Sequence, residues 1–138
     1  MAVSGYSGKA LGRKLGIKSW MRVKTRNAPG RYQQLLGPLP SNVQISTRLR
    51  RPVDLVHIFS IARAHLVAEI RRALDEIEQD GAIWVSWPKK ASGVRTDITE
   101  DVIREVALPM GLVDVKVCAV DETWSGLKLV IRKSLRKL

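Results

Sequence analysis

Apolar residues follow two different spacings along the chain, and each spacing predicts one kind of element. Residues 54–59 form a nearly continuous apolar run, which is typical of a strand buried on both faces of a parallel sheet. Residues 82–87 repeat this pattern and predict a second central strand. Between them, residues 62–79 carry one apolar stripe at helical spacing, with charged side chains, Glu76 among them, on the opposite side. Asp80-Gly81 is expected to end this helix.

Shorter elements precede this strand–helix–strand unit. Residues 21–26 alternate apolar and basic side chains, which predicts a strand with one wet face or a charged edge. Three further elements are predicted in this part of the chain: helices at 9–15 and 29–36, and a strand at 43–46.

A helix and a pair of strands follow the central unit. Asp97-Ile98-Thr99-Glu100 has the spacing of a capping box, with Asp97 in the place of the hydroxyl residue. A helix is therefore expected from there to about Pro109. Residues 112–120 and 127–132 predict the last two strands, joined by a glycine-containing turn of hairpin length.

The order of these elements is strand, helix, strand, strand, helix, strand, helix, strand, strand. Helices that separate strands require right-handed crossovers and parallel pairing, whereas the final hairpin adds one antiparallel strand. We therefore expect a three-layer, Rossmann-like α/β fold with a mostly parallel sheet. The order matches a reduced class I methyltransferase sheet with one early βα unit shortened, a comparison that implies no activity. One domain is expected over residues 1–138, with flexible ends at 1–8 and 133–138.

Charge is distributed unevenly along the sequence. The net charge is +11, and the whole excess lies in the first 53 residues, which hold eleven lysines and arginines and no acid. Residues 54–138 hold thirteen residues of each sign. Such a field attracts polyanions, so the basic residues at 9–51 are candidates for binding nucleic acid or another polyanion. The alternative is that they only keep the protein soluble.

Cysteine content and hydropathy bear on the compartment. The chain has one cysteine, Cys118, so no intrachain disulfide forms and a reducing setting is expected. Residues 1–24 lack the apolar core of a secretory signal. No window approaches the roughly 20 apolar residues that cross a bilayer. We therefore expect a cytoplasmic protein that does not interact with a membrane.

Ligands of open parallel sheets bind beyond the carboxyl ends of the strands. Trp87–Lys90 and Asp121–Trp124 are expected to converge on that edge, where lysines, acids and two tryptophans would form a pocket. The alternative is that the lysines pair with the acids at the surface and the tryptophans cap the core. The rule selects nine candidate ligand-binding residues: Asn27, Ser60, Arg63, Trp87, Lys89, Lys90, Asp121, Glu122 and Trp124.

Motifs for common cofactors and catalytic groups are missing from the sequence. A dinucleotide or S-adenosylmethionine site needs a glycine-rich turn after the first strand, but residues 27–37 contain only Gly30 and Gly37. No acid follows the second strand, where such sites hold the ribose. The two histidines and the cysteine form no ligand set, so no metal site is expected. His57, inside an apolar strand, is interpreted as a hydrogen-bonded core residue.

Two segments resemble a known family. Trp87-Pro88-Lys89-Lys90 and Asp121-Glu122-Thr123-Trp124-Ser125-Gly126 resemble domain-of-unknown-function family 3052, which consists of small bacterial proteins. The resemblance spans nearly the whole chain, including Gly5-Tyr6-Ser7-Gly8 and Leu15-Gly16-Ile17-Lys18. Ser19-Trp20 departs from it, since relatives more often carry Pro-Gly there. The resemblance implies a bacterial protein and transfers no function.

Three functions stay open at this point. The missing glycine turn and the uneven charge favour a non-catalytic module that binds an anionic ligand or partner on a methyltransferase-like scaffold. One alternative is a divergent S-adenosylmethionine-dependent methyltransferase, or another small-ligand enzyme, with Trp87, Asp121 and Trp124 around its pocket. The other is a homodimeric interaction protein that associates through a sheet edge or Trp20. The sequence decides neither the cofactor nor whether the protein is an enzyme.

Overall fold

Parallel pairing organises a six-stranded sheet. The computed structural model describes residues 10–137, so predictions for residues 1–9 lie outside the described residues. The strands are β1 Arg22–Arg26, β2 Gln44–Ser46, β3 Val53–Phe59, β4 Ile77–Pro88, β5 Leu112–Ala119 and β6 Trp124–Ile131. They lie in the order β2-β1-β3-β4-β6-β5. The pairs β1–β2, β1–β3 and β3–β4 are parallel, and β6 is antiparallel to β4 and β5. The predicted mostly parallel sheet with one antiparallel strand is confirmed.

Helices cover both faces of this sheet. They are α1 Leu11–Leu15, α2 Tyr32–Leu36, α3 Arg63–Glu76 and α4 Glu100–Ala107. On one face, α3 and α4 pack over an apolar cluster that includes Val85 and Leu127. On the other face, α1 and α2 pack over a second cluster that includes Leu55 and Trp84. The predicted three-layer, Rossmann-like arrangement is therefore confirmed. Between residues 10 and 137, no helix combines the length and the apolarity that a bilayer crossing requires.

The surroundings of β1 differ from the sequence prediction. The predicted wet face or charged edge is wrong, because β1 lies between β2 and β3 and Lys24 is buried. Lys24 Nζ lies 2.8 Å from Glu76 Oε2, and the Arg26 guanidinium bonds the same carboxylate. Burial alone would raise the pKa of Glu76, but Arg26 and Lys24 bring it below its usual value. One buried carboxylate thus holds two cations.

The end of α3 also differs from the prediction. The apolar stripe and Asp80-Gly81 predict a helix to about residue 79, but α3 ends at Glu76. Ile77 instead opens β4 and pairs with Val53. The prediction fails because Ile77 fits both the last position of the stripe and the first position of a buried strand. Glu76 is consequently buried, not on the solvent side where the helical pattern places it.

Thr99, not Asp97, is the N-cap of α4. The Thr99 side chain accepts a hydrogen bond from the Val102 amide at 3.2 Å. Asp97 Oδ1 accepts one from the Arg63 amide at 2.7 Å, in the first turn of α3. The predicted role of Asp97 as the capping residue of α4 is therefore wrong. Its carboxylate instead accepts from a free amide in the first turn of α3.

His57 is a hydrogen-bonded core residue, as its apolar strand predicts. Its side chain has no exposed surface. Nδ1 lies 2.8 Å from the Tyr32 hydroxyl and Nε2 lies 2.7 Å from Ser86 Oγ. A neutral imidazole has one donor and one acceptor, so both ring nitrogens are satisfied without a charge.

We predict that His57 makes folding sensitive to mild acid. Burial lowers the pKa of His57 from 6.5 to about 3. Below about pH 6.5 the unfolded chain takes up a proton that the folded chain does not, so stability falls as the pH drops towards 3. Between pH 6.5 and 5 this group should remove about 2 kcal/mol from the free energy of unfolding. Urea titrations of the wild type and His57→Gln measure the difference in slope. Identical pH profiles for the two proteins would contradict the prediction.

We also predict that the carboxylate of Glu76 is essential to the packing of β1 against α3. Glu76→Gln leaves two buried cations without a counterion, which should destabilise the protein by about 3–5 kcal/mol. Glu105→Gln is the matched control, because Glu105 pairs with Arg63 at the surface, with both side chains about half exposed. It should cost less than about 1 kcal/mol. Denaturant unfolding measures both variants, and equal losses would be evidence against a structural role for the buried cluster.

Candidate functional site

The two segments that were expected to meet do lie at one edge of the sheet. Pro88 at the end of β4 pairs with Trp124 at the start of β6. The Lys89 amide donates to the Thr123 carbonyl oxygen at 2.7 Å. We call this edge, formed by the residues after β1, β3 and β4 and by the turn from β5 to β6, the strand-end rim. Ligand binding by its residues stays a prediction.

The strand-end rim carries two separate cavities. The first, of about 370 Å³, is called the switch-point cavity and is lined by Asn27, Phe59, Ser60, Ile61, His65, Glu69 and Trp124. The second, of about 650 Å³, is called the cationic cavity and is lined by Trp87, Pro88, Lys90, Gly93, Val94, Arg95, Thr96, Ile98, Thr99 and Glu100.

The two tryptophans belong to different cavities because of the strand register. Trp87 pairs with Ser125, and Pro88 pairs with Trp124. Neighbouring residues of a strand point to opposite faces, so these two indoles lie on opposite sides of the sheet. Trp87 packs in the cluster under α3 and α4, and Trp124 packs against the cluster under α1 and α2. The expected single pocket with both tryptophans is therefore not formed, and their role in capping the core is confirmed.

The switch-point cavity lies between β1 and β3, where the strand order reverses. Such a crevice is the usual ligand position in an open α/β sheet. Here the Glu69 carboxylate bridges it, since Oε1 accepts from Ser60 Oγ at 3.0 Å and Oε2 from Asn27 Nδ2 at 3.2 Å. Trp124 packs edge-on against Phe59, with 5.1 Å between ring centroids. The lining is thus aromatic and acidic, and it contains no lysine or arginine.

The residues around this crevice do not fit the usual pattern for S-adenosylmethionine. The turn after β1, Asn27–Gly30, is not glycine-rich, and Asn27 itself adopts a left-handed backbone with φ +60°. Ser46-Thr47-Arg48, at and after the end of β2, supplies no acid for a ribose. Glu69 already connects the two strand ends. A site of the standard type is therefore not built here.

The cationic cavity has the opposite electrostatic character. Lys90 and Arg95 are both exposed, and within residues 10–137 neither side chain makes a hydrogen bond or an ion pair. Glu100, the acid of the lining, pairs with Arg104. Trp87, with 8% of its surface exposed, contributes an apolar wall. The cavity therefore combines uncompensated positive charge with apolar surface.

The loop that carries these cations is held by its own hydrogen bonds. Ser92 Oγ donates to the Lys89 carbonyl oxygen at 2.6 Å and accepts from the Val94 amide at 3.2 Å. Gly93 has φ +75°, a left-handed conformation that glycine adopts without steric cost. The loop that carries Lys90 and Arg95 therefore has a defined backbone conformation.

The acids of the rim do not neutralise its lysines. Asp121 is buried, and its Oδ1 accepts the amides of Thr123 and Trp124, both at 2.8 Å. Glu122 is exposed. In the described chain no ion pair joins these acids to Lys89 or Lys90, so the alternative of a surface network is wrong. The Asp121 carboxylate instead fixes the turn.

Four of the nine candidates line neither cavity: Arg63, Lys89, Asp121 and Glu122. Arg63 pairs with Glu105 at 2.9 Å. Glu69 and Arg95 were not among the candidates. In the helical pattern Glu69 occupies the position of an acid exposed to solvent, so nothing in the sequence marks it as a site residue. Arg95 follows Lys89 and Lys90 in the same predicted loop, and this group of basic residues could have identified it.

The carboxyl-terminal half of the chain matches a family model. The model is described as "Protein of unknown function (DUF3052)", and it covers residues 53–133. The chain belongs to this family. The matched range runs from β3 to β6 and contains every residue that lines the cationic cavity. The family resemblance noted in the sequence is confirmed. No curated protein matches the chain.

Solved structures with a similar fold include several methyltransferases. TrmN from Thermus thermophilus is 14% identical with a TM-score of 0.57, over 88% of this chain and 47% of that one. A SAM-dependent O-methyltransferase from Thermotoga maritima is 8% identical with a TM-score of 0.59, over 89% and 64%. Magnesium protoporphyrin IX methyltransferase from Synechocystis PCC 6803, with bound SAM, is 12% identical with a TM-score of 0.59, over 88% and 76%.

These similarities establish the fold of this family member and nothing finer. At such identities only the arrangement of strands and helices is shared. The chain also spans about half the length of TrmN and less than two thirds of the Thermotoga protein. The methyltransferase-like fold expected from the order of elements is confirmed.

Proposed function

We propose that the protein is a non-catalytic binding module that holds a small amphipathic anion in the cationic cavity. The observation that carries the proposal is the pair Lys90 and Arg95, two exposed cations that lie beside apolar walls and form no ion pair with any of residues 10–137. A carboxylate or phosphate group between them would gain charge-assisted hydrogen bonds. The rest of such a ligand would lie against Trp87 and Val94, as ligand bodies usually lie on apolar surface.

The chemistry of the neighbouring groups supports a role without catalysis. The acid in the cavity, Glu100, is engaged by Arg104. His57 is buried between Tyr32 and Ser86 and lines neither cavity. Burial raises the pKa of the half-buried Cys118 thiol, which keeps it in its unreactive form. None of the residues lining the cationic cavity is a histidine or a cysteine.

A divergent methyltransferase is the second candidate. It is favoured by the presence of the switch-point cavity at the position where sheets of this type bind ligands. It is opposed by the Glu69 bridge between Asn27 and Ser60 and by the absence of a glycine-rich turn. The two candidates place the ligand in different cavities, so one set of variants separates them.

We predict that the protein binds decanoate more tightly than decanol, because only decanoate has a charged group for Lys90 and Arg95. In isothermal titration calorimetry, Lys90→Gln and Arg95→Gln should each weaken decanoate binding by about tenfold, the loss of one charge-assisted hydrogen bond. Lys133→Gln removes an exposed lysine far along the chain and should leave the affinity unchanged. S-Adenosylmethionine is titrated in parallel.

Two outcomes would contradict this proposal. Equal affinities for decanoate and decanol would show that the cations play no part. S-Adenosylmethionine binding that persists in the double variant Lys90→Gln/Arg95→Gln, without decanoate binding to the wild type, would favour the methyltransferase candidate instead.

A further inference from the structure

Three lysines come together on the α1 side of the sheet, far from the cationic cavity. Lys116 on β5 and Lys128 on β6 are register partners, so their side chains leave the same face side by side. Burial lowers the pKa of Lys128, and the charges of Lys116 and Lys18 lower it further. None of the three makes a salt bridge with another described residue. Like charges opposite each other destabilise a sheet, so an anion bound between these lysines would relieve the repulsion.

Among residues 10–137, no helix covers this part of the sheet. Trp84, Lys128 and Lys116 form one row across β4, β6 and β5. The row ends under α1 at Trp84, whose Nε1 donates to the Leu15 carbonyl oxygen at 3.2 Å. Beyond it, Lys116 and Lys128 retain exposed surface, because α3 and α4 pack on the other face. The cluster is therefore open to a partner.

Trp20 is an exposed aromatic side chain two residues after Lys18. Its indole is 74% exposed, and its backbone is left-handed with φ +70°. Bulky residues rarely adopt this conformation, because their Cβ atom crowds the following carbonyl oxygen. The Trp20 amide donates to the Ser41 carbonyl oxygen at 3.2 Å, which holds the residue in place. An indole held open in this way is a stacking surface.

A small cavity lies beside this indole. It has a volume of about 370 Å³ and includes Arg22, Asn42 and Gln44. Arg22 is fixed by two hydrogen bonds, from Nη1 to the Pro52 carbonyl oxygen at 2.8 Å and from Nε to Gln44 Oε1 at 3.3 Å. A stacking surface next to a fixed guanidinium and two amide side chains suits a planar base that carries hydrogen-bonding edges.

Residues 15–20 link the lysine cluster to the Trp20 cavity, so that one extended ligand can reach both. The Leu15 carbonyl oxygen bonds Trp84, the register partner of Lys128, and Lys18 follows three residues after Leu15. Lys18 in turn stands two residues before Trp20. The first 53 residues hold no acid, and Asp54 contacts the Arg22 end, where its Oδ2 accepts from the Arg22 amide at 2.8 Å. We call these five residues the basic tract: Lys116, Lys128, Lys18, Trp20 and Arg22.

We propose that single-stranded nucleic acid binds along the basic tract, with phosphates on the lysines and a base stacked on Trp20. A duplex presents no free base to the Trp20 indole, and an acidic peptide has no base that could stack on it. A single strand therefore supplies both phosphates for the lysines and a base for Trp20. The inference does not depend on the ligand of the cationic cavity.

Fluorescence anisotropy with the full chain tests this inference. The probes are labelled oligomers of about twelve units: single-stranded DNA, single-stranded RNA, an abasic strand, a DNA duplex and polyglutamate. Trp20→Gly removes the indole and suits the left-handed backbone, so the variant keeps its fold. It should weaken binding of strands with bases by about 5- to 100-fold and leave the abasic strand unchanged. Lys116→Gln/Lys128→Gln should reduce the salt slope by about 1.4, because a single strand contributes about 0.7 per phosphate contact.

The control is the double variant Arg71→Gln/Arg72→Gln, which removes the same charge from exposed positions of α3, on the other face of the sheet, and should bind strands as the wild type does. Whether DNA or RNA binds more tightly identifies the natural strand. Absence of binding at low salt would overturn the inference. Equal affinity for the abasic strand and the strand with bases would also overturn it, as would binding of polyglutamate or duplex at least as tight as that of the single strand.

Discussion

Parallel pairing of β1, β3 and β4 is the constraint on which the rest of this molecule depends. Each parallel strand must be followed by a connection that returns across a face of the sheet, and this places α3 and α4 on one side. The same pairing brings the carboxyl ends of the strands to one edge. Residues that are distant in sequence, such as Lys90 and Trp124, consequently lie on one rim. Both cavities of that rim follow from this arrangement.

Positive charge is used in two physically different ways. Where a cation is buried, as at Lys24 and Arg26, the fold supplies a carboxylate from Glu76. Where cations remain at the surface, as at Lys90 and at the Lys116–Lys128 pair, no acid of the described residues forms an ion pair with them. Keeping a charge in the interior requires a partner, whereas an exposed charge without one is available to a ligand. This difference separates structural cations from candidate binding cations.

The fold was readable from the sequence, and the details of the site were not. The apolar runs at 54–59 and 82–87 require burial on both faces, which only a covered parallel sheet provides. The end of α3 was misplaced because Ile77 suits a helix stripe and a strand equally well. The faces taken by Trp87 and Trp124 depend on a register between β4 and β6 that a shift of one residue would reverse. The helical position of Glu69 is that of an acid exposed to solvent. Its bridge between Asn27 and Ser60 depends on how the ends of β1 and β3 come together.

Mapping the ligand on the protein tests the central claim most directly. The claim is that the unpaired cations beyond β4, and not the crevice between β1 and β3, hold a small anion. In the assigned amide spectrum of the isotope-labelled chain, decanoate should shift the signals of Gly93, Val94 and Thr96 and leave those of Asn27 and Ser60 in place. Shifts confined to Asn27, Ser60 and Glu69 would contradict the account, and so would a spectrum that decanoate leaves unchanged.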